Sequence, residues 1–137
     1  SLDILSVQQL ARQDGQRVRR ADTIVEVGNT DQRSGELNYS DLYSWDAIND
    51  EMKGDITASN VIGRIQRKQG WSSGELRSEI RNRRKVLQYM VDENIRRYDR
   101  FTAVVDKYYS HPEEVLEWVE KGGRSPVGGS TTDANAD

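Results

Sequence analysis

The sequence predicts an α+β fold with strands first and helices after, and three observations carry that prediction. Up to Asp55 the apolar residues tend to alternate, as on a half-buried strand. Asp14-Gly15 sits between two such runs, and this dipeptide suits a two-residue hairpin turn because both central positions need positive φ. Beyond Ile56 the apolar spacing changes to about 3.6 residues, the period of an amphipathic helix. The expected architecture is an N-terminal β-hairpin or meander followed by a bundle of three to four helices.

Leu2, Ile4, Leu5, Val7 and Leu10 open the chain as an apolar run with no polar lead-in, which reads as a buried strand. The first residue is Ser rather than Met. Together these predict the C-terminal end of a larger protein, divided inside a β-strand. After Asp14-Gly15 a return strand is expected from Gln16 to Val27, with Val18, Ile24, Val25 and Val27 in imperfect alternation. Residues 29–36 form a polar loop. A further strand spans Leu37–Trp45, with Leu37, Tyr39, Tyr43 and Trp45 on one face and Leu42 on the other; residues 46–50 turn, and Glu51–Lys53 pair back.

Ser59 or Asn60 caps a short helix that runs to Gln69, with Val61, Ile62 and Ile65 inward and Gly70 as its stop. Ser72-x-x-Glu75 is a capping box, in which the hydroxyl takes an early free N–H and the carboxylate reaches back. The helix that follows places Leu76, Ile80, Leu87, Met90 and Val91 on one face and ends near Asn94. Another helix, Tyr98–Tyr109, buries Phe101, Val104, Val105 and Tyr108. His111-Pro112 interrupts, because proline disfavours the helical region at the residue before it. The last helix carries Glu113 and Glu114 in its first turn, then Val115, Leu116 and Val119, and stops at Gly122. Residues 123–137 are Gly-, Ser-, Thr-, Asp- and Asn-rich and read as a disordered tail.

Composition removes many functions. Cysteine is absent, which excludes disulfides, thiolate nucleophiles and Cys-type metal sites. With one histidine, His111, neither a zinc site nor a Ser–His–Asp triad has a spacing partner. No Gly-Lys dipeptide occurs, so the phosphate-cradling loop G-x-x-x-x-G-K-S/T is missing. No apolar run reaches membrane-spanning length. Net charge is -3, which argues against a general pull towards nucleic acid or an anionic membrane. The bases are lopsided, 15 Arg to 5 Lys, as in a GC-rich genome or a high-salt cytoplasm.

Two candidate sites remain. Arg17, Arg19 and Arg20 follow the hairpin turn, with Arg12 before it; strand geometry puts Arg17 and Arg19 on one face and Arg20 on the other. Arginine forks suit phosphates and carboxylates, so the run reads as a subunit-interface or phosphate-sensing patch. The plainer reading is a charged strand edge that blocks unwanted pairing. Trp118, with Val115, Leu116 and Val119, can form an exposed docking stripe. The basic residues Arg77, Arg81, Arg83, Arg84 and Lys85 read as a solvated helix face, with Glu79 placed to pair with Arg83.

Gly15-Gln16-Arg17-Val18-Arg19-Arg20, then Ile24, Glu26 and Val27, resembles the strand pair near the end of the ATPase core in archaeal type II/type IV secretion and pilus- or archaellum-assembly ATPases. The segment Leu42-Tyr43-Ser44-Trp45-Asp46 with Asp50 is similar to that family's aromatic-Trp-Asp stretch. Gly70-Trp71, Glu75-Leu76, Arg83-Arg84, Val86-Leu87, Tyr108-Tyr109, Pro112-Glu113 and Val115-Leu116 continue the likeness in order, over residues 2–120. The resemblance implies that residues 1–28 are the last strands of a RecA-type core and residues 29–122 a C-terminal α/β appendage. It implies a parent that binds ATP and Mg, forms a hexamer, sits in the cytoplasm against the inner face of the membrane, and engages a membrane platform protein. No catalytic, cofactor or metal residue carries over, so the chain itself is expected to be non-catalytic, without cofactor and without a nucleic-acid partner. A rival reading is a free-standing protein–protein interaction module that docks through Trp118. Another is a nucleic-acid-binding regulator, whose binding must weaken steeply with salt.

Overall fold

In the computed structural model, which describes residues 2–122, four strands precede four helices, the α+β order that the sequence predicts. The chain divides between Trp71 and Ser72 into two compact units.

The first unit is an antiparallel meander of β1 (Ile4–Gln13), β2 (Gln16–Thr30), β3 (Leu37–Asp46) and β4 (Glu51–Gly54) in that spatial order, followed by a 3-10 turn (Ile56–Ala58) and α1 (Asn60–Gln69). Asp14 and Gly15 both have positive φ, 49° and 79°, so the tight hairpin forms where the dipeptide demands it. A boundary at residue 28 falls inside β2, and therefore inside one sheet.

Three register shifts break the alternation, the third of them between Val27 and Thr30. Val7 pairs with Thr23 but Gln8 pairs with Ala21, which leaves Asp22 without an opposite number. Ile24 pairs with Tyr43 but Val25 with Asp41, which leaves Leu42 as an extra residue in β3. Tyr39 and Tyr43 consequently lie on opposite faces, not on one face as the period-two reading has them. Leu42 is the buried apolar side chain of this unit among the described residues.

The expectation of a buried first strand is also corrected. β1 is an edge strand with a neighbour on one side only, and Leu2, Ile4, Leu5, Val7 and Leu10 are all exposed, Leu10 at 63%.

The second unit comprises α2 (Ser73–Asp92), α3 (Tyr98–Ser110) and α4 (Pro112–Lys121). The capping box is complete: Glu75 N–H donates to Ser72 Oγ (3.1 Å) and Ser72 N–H to Glu75 Oε2 (2.7 Å). Ser72→Ala is expected to lower the stability of this unit by about 1 kcal/mol, read from urea unfolding followed through Trp118.

The core joins Val86, Tyr89 and Met90 of α2, Val104 and Tyr108 of α3, and Val115 of α4. On α2 the inward line is therefore Val86–Tyr89–Met90, whereas Leu87 and Val91, read from the sequence as core, are 51% and 72% exposed. Of the four residues expected to be buried on α3, Phe101 is exposed. Helical periodicity locates an apolar stripe, but a helix with two adjacent stripes leaves the choice to its neighbours. Residues 123–137, read as a disordered tail, lie outside the described residues.

Candidate functional site

The β1–β2 hairpin divides the arginine run as strand alternation predicts. Arg12 lies directly opposite Arg17, and Leu10 opposite Arg19. Arg12, Arg17 and Arg19 are exposed, with no ion pair or hydrogen bond to their side chains among the described residues. Like charges directly opposite on a sheet repel, so this face is unfavourable in isolation and suited to an anionic group.

Arg20 points elsewhere and is occupied. Its Nε and Nη2 donate to the two carboxylate oxygens of Asp50 at 2.7 and 2.8 Å, and Trp45 Nε1 donates to Asp50 Oδ1 at 2.9 Å. Asp50 sits at φ 50° in the turn between β3 and β4. The bidentate fork thus pins a left-handed turn residue against β2. The Arg20 hydrogen bonds, then that from Trp45, hold the Asp50 carboxyl down at about 2, and the same bonds raise the Arg20 pKa. Asp46 opens the turn: Lys53 Nζ (2.5 Å), Asn49 Nδ2 (2.8 Å) and the Ile48 N–H (2.9 Å) all donate to it, and its pKa is well below the carboxylate range.

Arg20 is therefore a positioning residue for the turn, and the arginines of the run left without a side-chain partner among the described residues are Arg17 and Arg19, with Arg12. Arg20→Ala is expected to lower the urea midpoint of the first unit and to shift Trp45 emission to the red. Arg17→Ala is expected to leave both unchanged; an equal effect of the two would contradict this division of roles.

The sequence did not single out Glu26 as a site residue, yet it is among the few buried polar side chains, 3% exposed. Ser59 Oγ donates to its carboxylate, as do the N–H groups of Asn60 (2.9 Å) and Val61 (3.2 Å). An acid inside the apolar run Ile24-Val25-Glu26-Val27 is the signal that could have found it.

Trp118 does not form an exposed stripe. Val115 is fully buried, and Trp118, Leu116 and Val119 are half-buried against the core cluster. A short last helix between two longer ones must place its apolar side inward. In the same unit Tyr108 donates through its hydroxyl to Glu79 (3.0 Å), which also takes Arg83 Nε (2.7 Å). Burial, then the Glu79 hydrogen bond, pushes the Tyr108 phenol up to about 12. The described residues hold no group of three or more His, Asp or Glu able to bind a metal, and no helix long and apolar enough to cross a membrane.

A family model described as PilB3-like, C-terminal, matches residues 53–130, more than half of the chain. The chain belongs to this family. The match begins in β4 and takes in α1 to α4, so the PilB3-like region contains Trp118 while Arg17, Arg19 and Arg20 precede it. At this level the resemblance read from the sequence holds: the segment is a C-terminal region of the pilus-assembly ATPase kind. An uncharacterized protein of Methanocaldococcus jannaschii is 28% identical over 118 residues, which are 85% of this chain and 16% of that protein. The PilB3-like chain thus spans a small part of the length of the relative it matches.

Proposed function

We propose that the chain is the non-catalytic C-terminal part of an archaeal secretion or pilus-assembly ATPase of the type II/type IV kind, and that it serves ring assembly or partner docking in the parent. The observation that carries this reading is the β1–β2 hairpin: an edge strand with four exposed apolar side chains, Ile4, Leu5, Val7 and Leu10, beside a face of three arginines without a side-chain partner among the described residues. An unpaired edge with apolar side chains favours pairing with another segment, and the parent's ATPase core is the segment it suits. Arg12, Arg17 and Arg19 then face carboxylates or bound phosphate at a subunit boundary. In this reading ATP and Mg belong to the parent, the assembly is a hexamer on the cytoplasmic face of the membrane, and the partner is a membrane platform protein. The free-standing module has less support, because Trp118, through which it would dock, is half-buried.

The test is the pair Arg17→Glu and Arg19→Glu in the full-length protein. A folded protein with impaired assembly and a reduced ATPase rate is expected. Unchanged assembly and rate would overturn the role of this face.

A further inference from the structure

No residue of α1 is buried, whereas α2, α3 and α4 each bury at least one apolar side chain. Val61 and Ile62 are half-buried, and Ile65 is 39% exposed. Apolar burial therefore contributes less to seating α1 than to seating the other helices. The α1 sequence is also a weak helix former. Gly63 lies in its first half, Val61, Ile62 and Ile65 are β-branched, and ten residues are marginal as an isolated helix in water.

Two polar clasps tie it to the strands. The Glu26 carboxylate of β2 accepts the Asn60 and Val61 N–H groups and the Ser59 hydroxyl. α1 has no acid of its own in its first turn, so the negative charge that suits its dipole comes from β2. One turn further along, Arg64 Nη2 donates to Asp3 Oδ1 at 2.7 Å, in an exposed pair. The Asp3 carbonyl also accepts the Val27 N–H at 2.9 Å, so the second clasp is anchored in the ladder beside β2. Breaking both clasps uncovers little apolar surface, yet it removes the partners that satisfy the start of the helix.

We propose that α1 is a detachable strap: it leaves the sheet as one unit while β1 to β4 stay folded, and it melts as it leaves. α1 is the last helix before the second unit, which begins at Ser72. Docked, it leaves Gly70 and Trp71 as the connection between the units. Released, it extends that connection back to Asn60, and the Glu26 carboxylate opens to water. The strap thus gives the connection two lengths, and it does not depend on the parent's being an ATPase. Local opening of this kind belongs to elements with few buried apolar side chains.

Native-state amide exchange on the 137-residue chain tests it. The amides of residues 64–69 are expected to share one protection factor, about a hundredfold or more below that of the β2 amides. Their exchange depends only weakly on urea, because the opening exposes little surface. Arg64→Ala speeds exchange at residues 65–69 by about two- to fivefold, the usual worth of an exposed ion pair, and leaves β2 unchanged. Ser59→Ala, which removes the cap, speeds it by about fivefold or more. In each variant the β2 amides report that the sheet is folded. Exchange of α1 at the β2 rate and with the β2 urea slope would overturn the proposal, because α1 would then leave only with the sheet. Rates graded along residues 64–69, which mark fraying from an end, or variants that speed β2 as much as α1, would overturn it too.

Discussion

Replacing Glu26 by alanine is expected to lower the stability of the first unit by about 3 kcal/mol and to fray α1 from its N-terminus. The first N–H groups of a helix have no partner within it. Here Asn60 and Val61 donate to Glu26, Ile62 donates to Ser59 Oγ (3.2 Å), and the Ser59 hydroxyl donates to Glu26 in turn. One carboxylate on β2 therefore satisfies the start of α1, and its negative charge suits the positive end of the helix dipole. Removing it leaves several donors in a buried site with nothing to accept them. Urea unfolding followed through Trp45 and Trp71 measures the loss, and amide exchange at residues 60–62 locates it. A loss below about 0.5 kcal/mol would mean that water replaces the carboxylate without cost.

The same residue gives the first unit a pH dependence of known sign. The Ser59 hydrogen bond, then the N–H groups of Val61 and Asn60, hold the Glu26 pKa below its ordinary 4.5, while burial opposes them. As pH falls the unfolded chain takes up its proton before the folded one. The stabilisation is therefore complete above about pH 4.5 and is lost as pH drops through the lower folded value. Asp50, held at about 2 by Arg20, acts in the same direction further down the scale. In Glu26→Ala the slope of stability against pH just below 4.5 is expected to flatten, while the Asp50 contribution remains.

Gly54→Ala is expected to be comparably damaging, by about 3 kcal/mol, for a different reason. A Cβ at Gly54 would lie 1.9 Å from the Leu42 carbonyl oxygen, 2.8 Å from its carbon and 2.7 Å from Tyr43 Cδ1. Gly54 does not have positive φ, so the demand is for space rather than for a left-handed backbone. The backbone cannot retreat freely: Leu42 is the extra residue of β3, and its carbonyl accepts the Asp55 N–H at 3.2 Å. Separating the strands breaks that bond and uncovers Leu42. Gly28 is the control, because its Cβ would meet Asn38 O at 3.2 Å, a contact that a few tenths of an ångström relieve. Gly28→Ala is expected to lose less than about 1 kcal/mol. Equal losses at the two positions would show that close approach at Gly54 does not set the effect, since the lower chain entropy of alanine acts in the stabilising direction at both.

The sequence by itself determined the features that one segment decides alone. The Asp14-Gly15 turn, the Ser59 and Ser72 caps, the left-handed Gly70 and Gly122 stops and the break at Pro112 all stand where local chemistry places them. Each depends on the conformational preference of a few neighbouring residues, so no distant contact is needed to read it. Which stripe of α2 faces the core, which side of the sheet Tyr43 occupies and which carboxylate Arg20 meets were settled only in three dimensions. Leu87 and Met90 are equally apolar in the sequence, but α3 and α4 cover one and leave the other exposed. The extra residue at Leu42 reverses the faces after it, and no period-two count reveals a bulge. The arginine run divides because Asp50, 30 residues away, reaches one fork and leaves Arg17 and Arg19 unpaired. Long-range pairing depends on the position of the partner, and that position is a property of the fold.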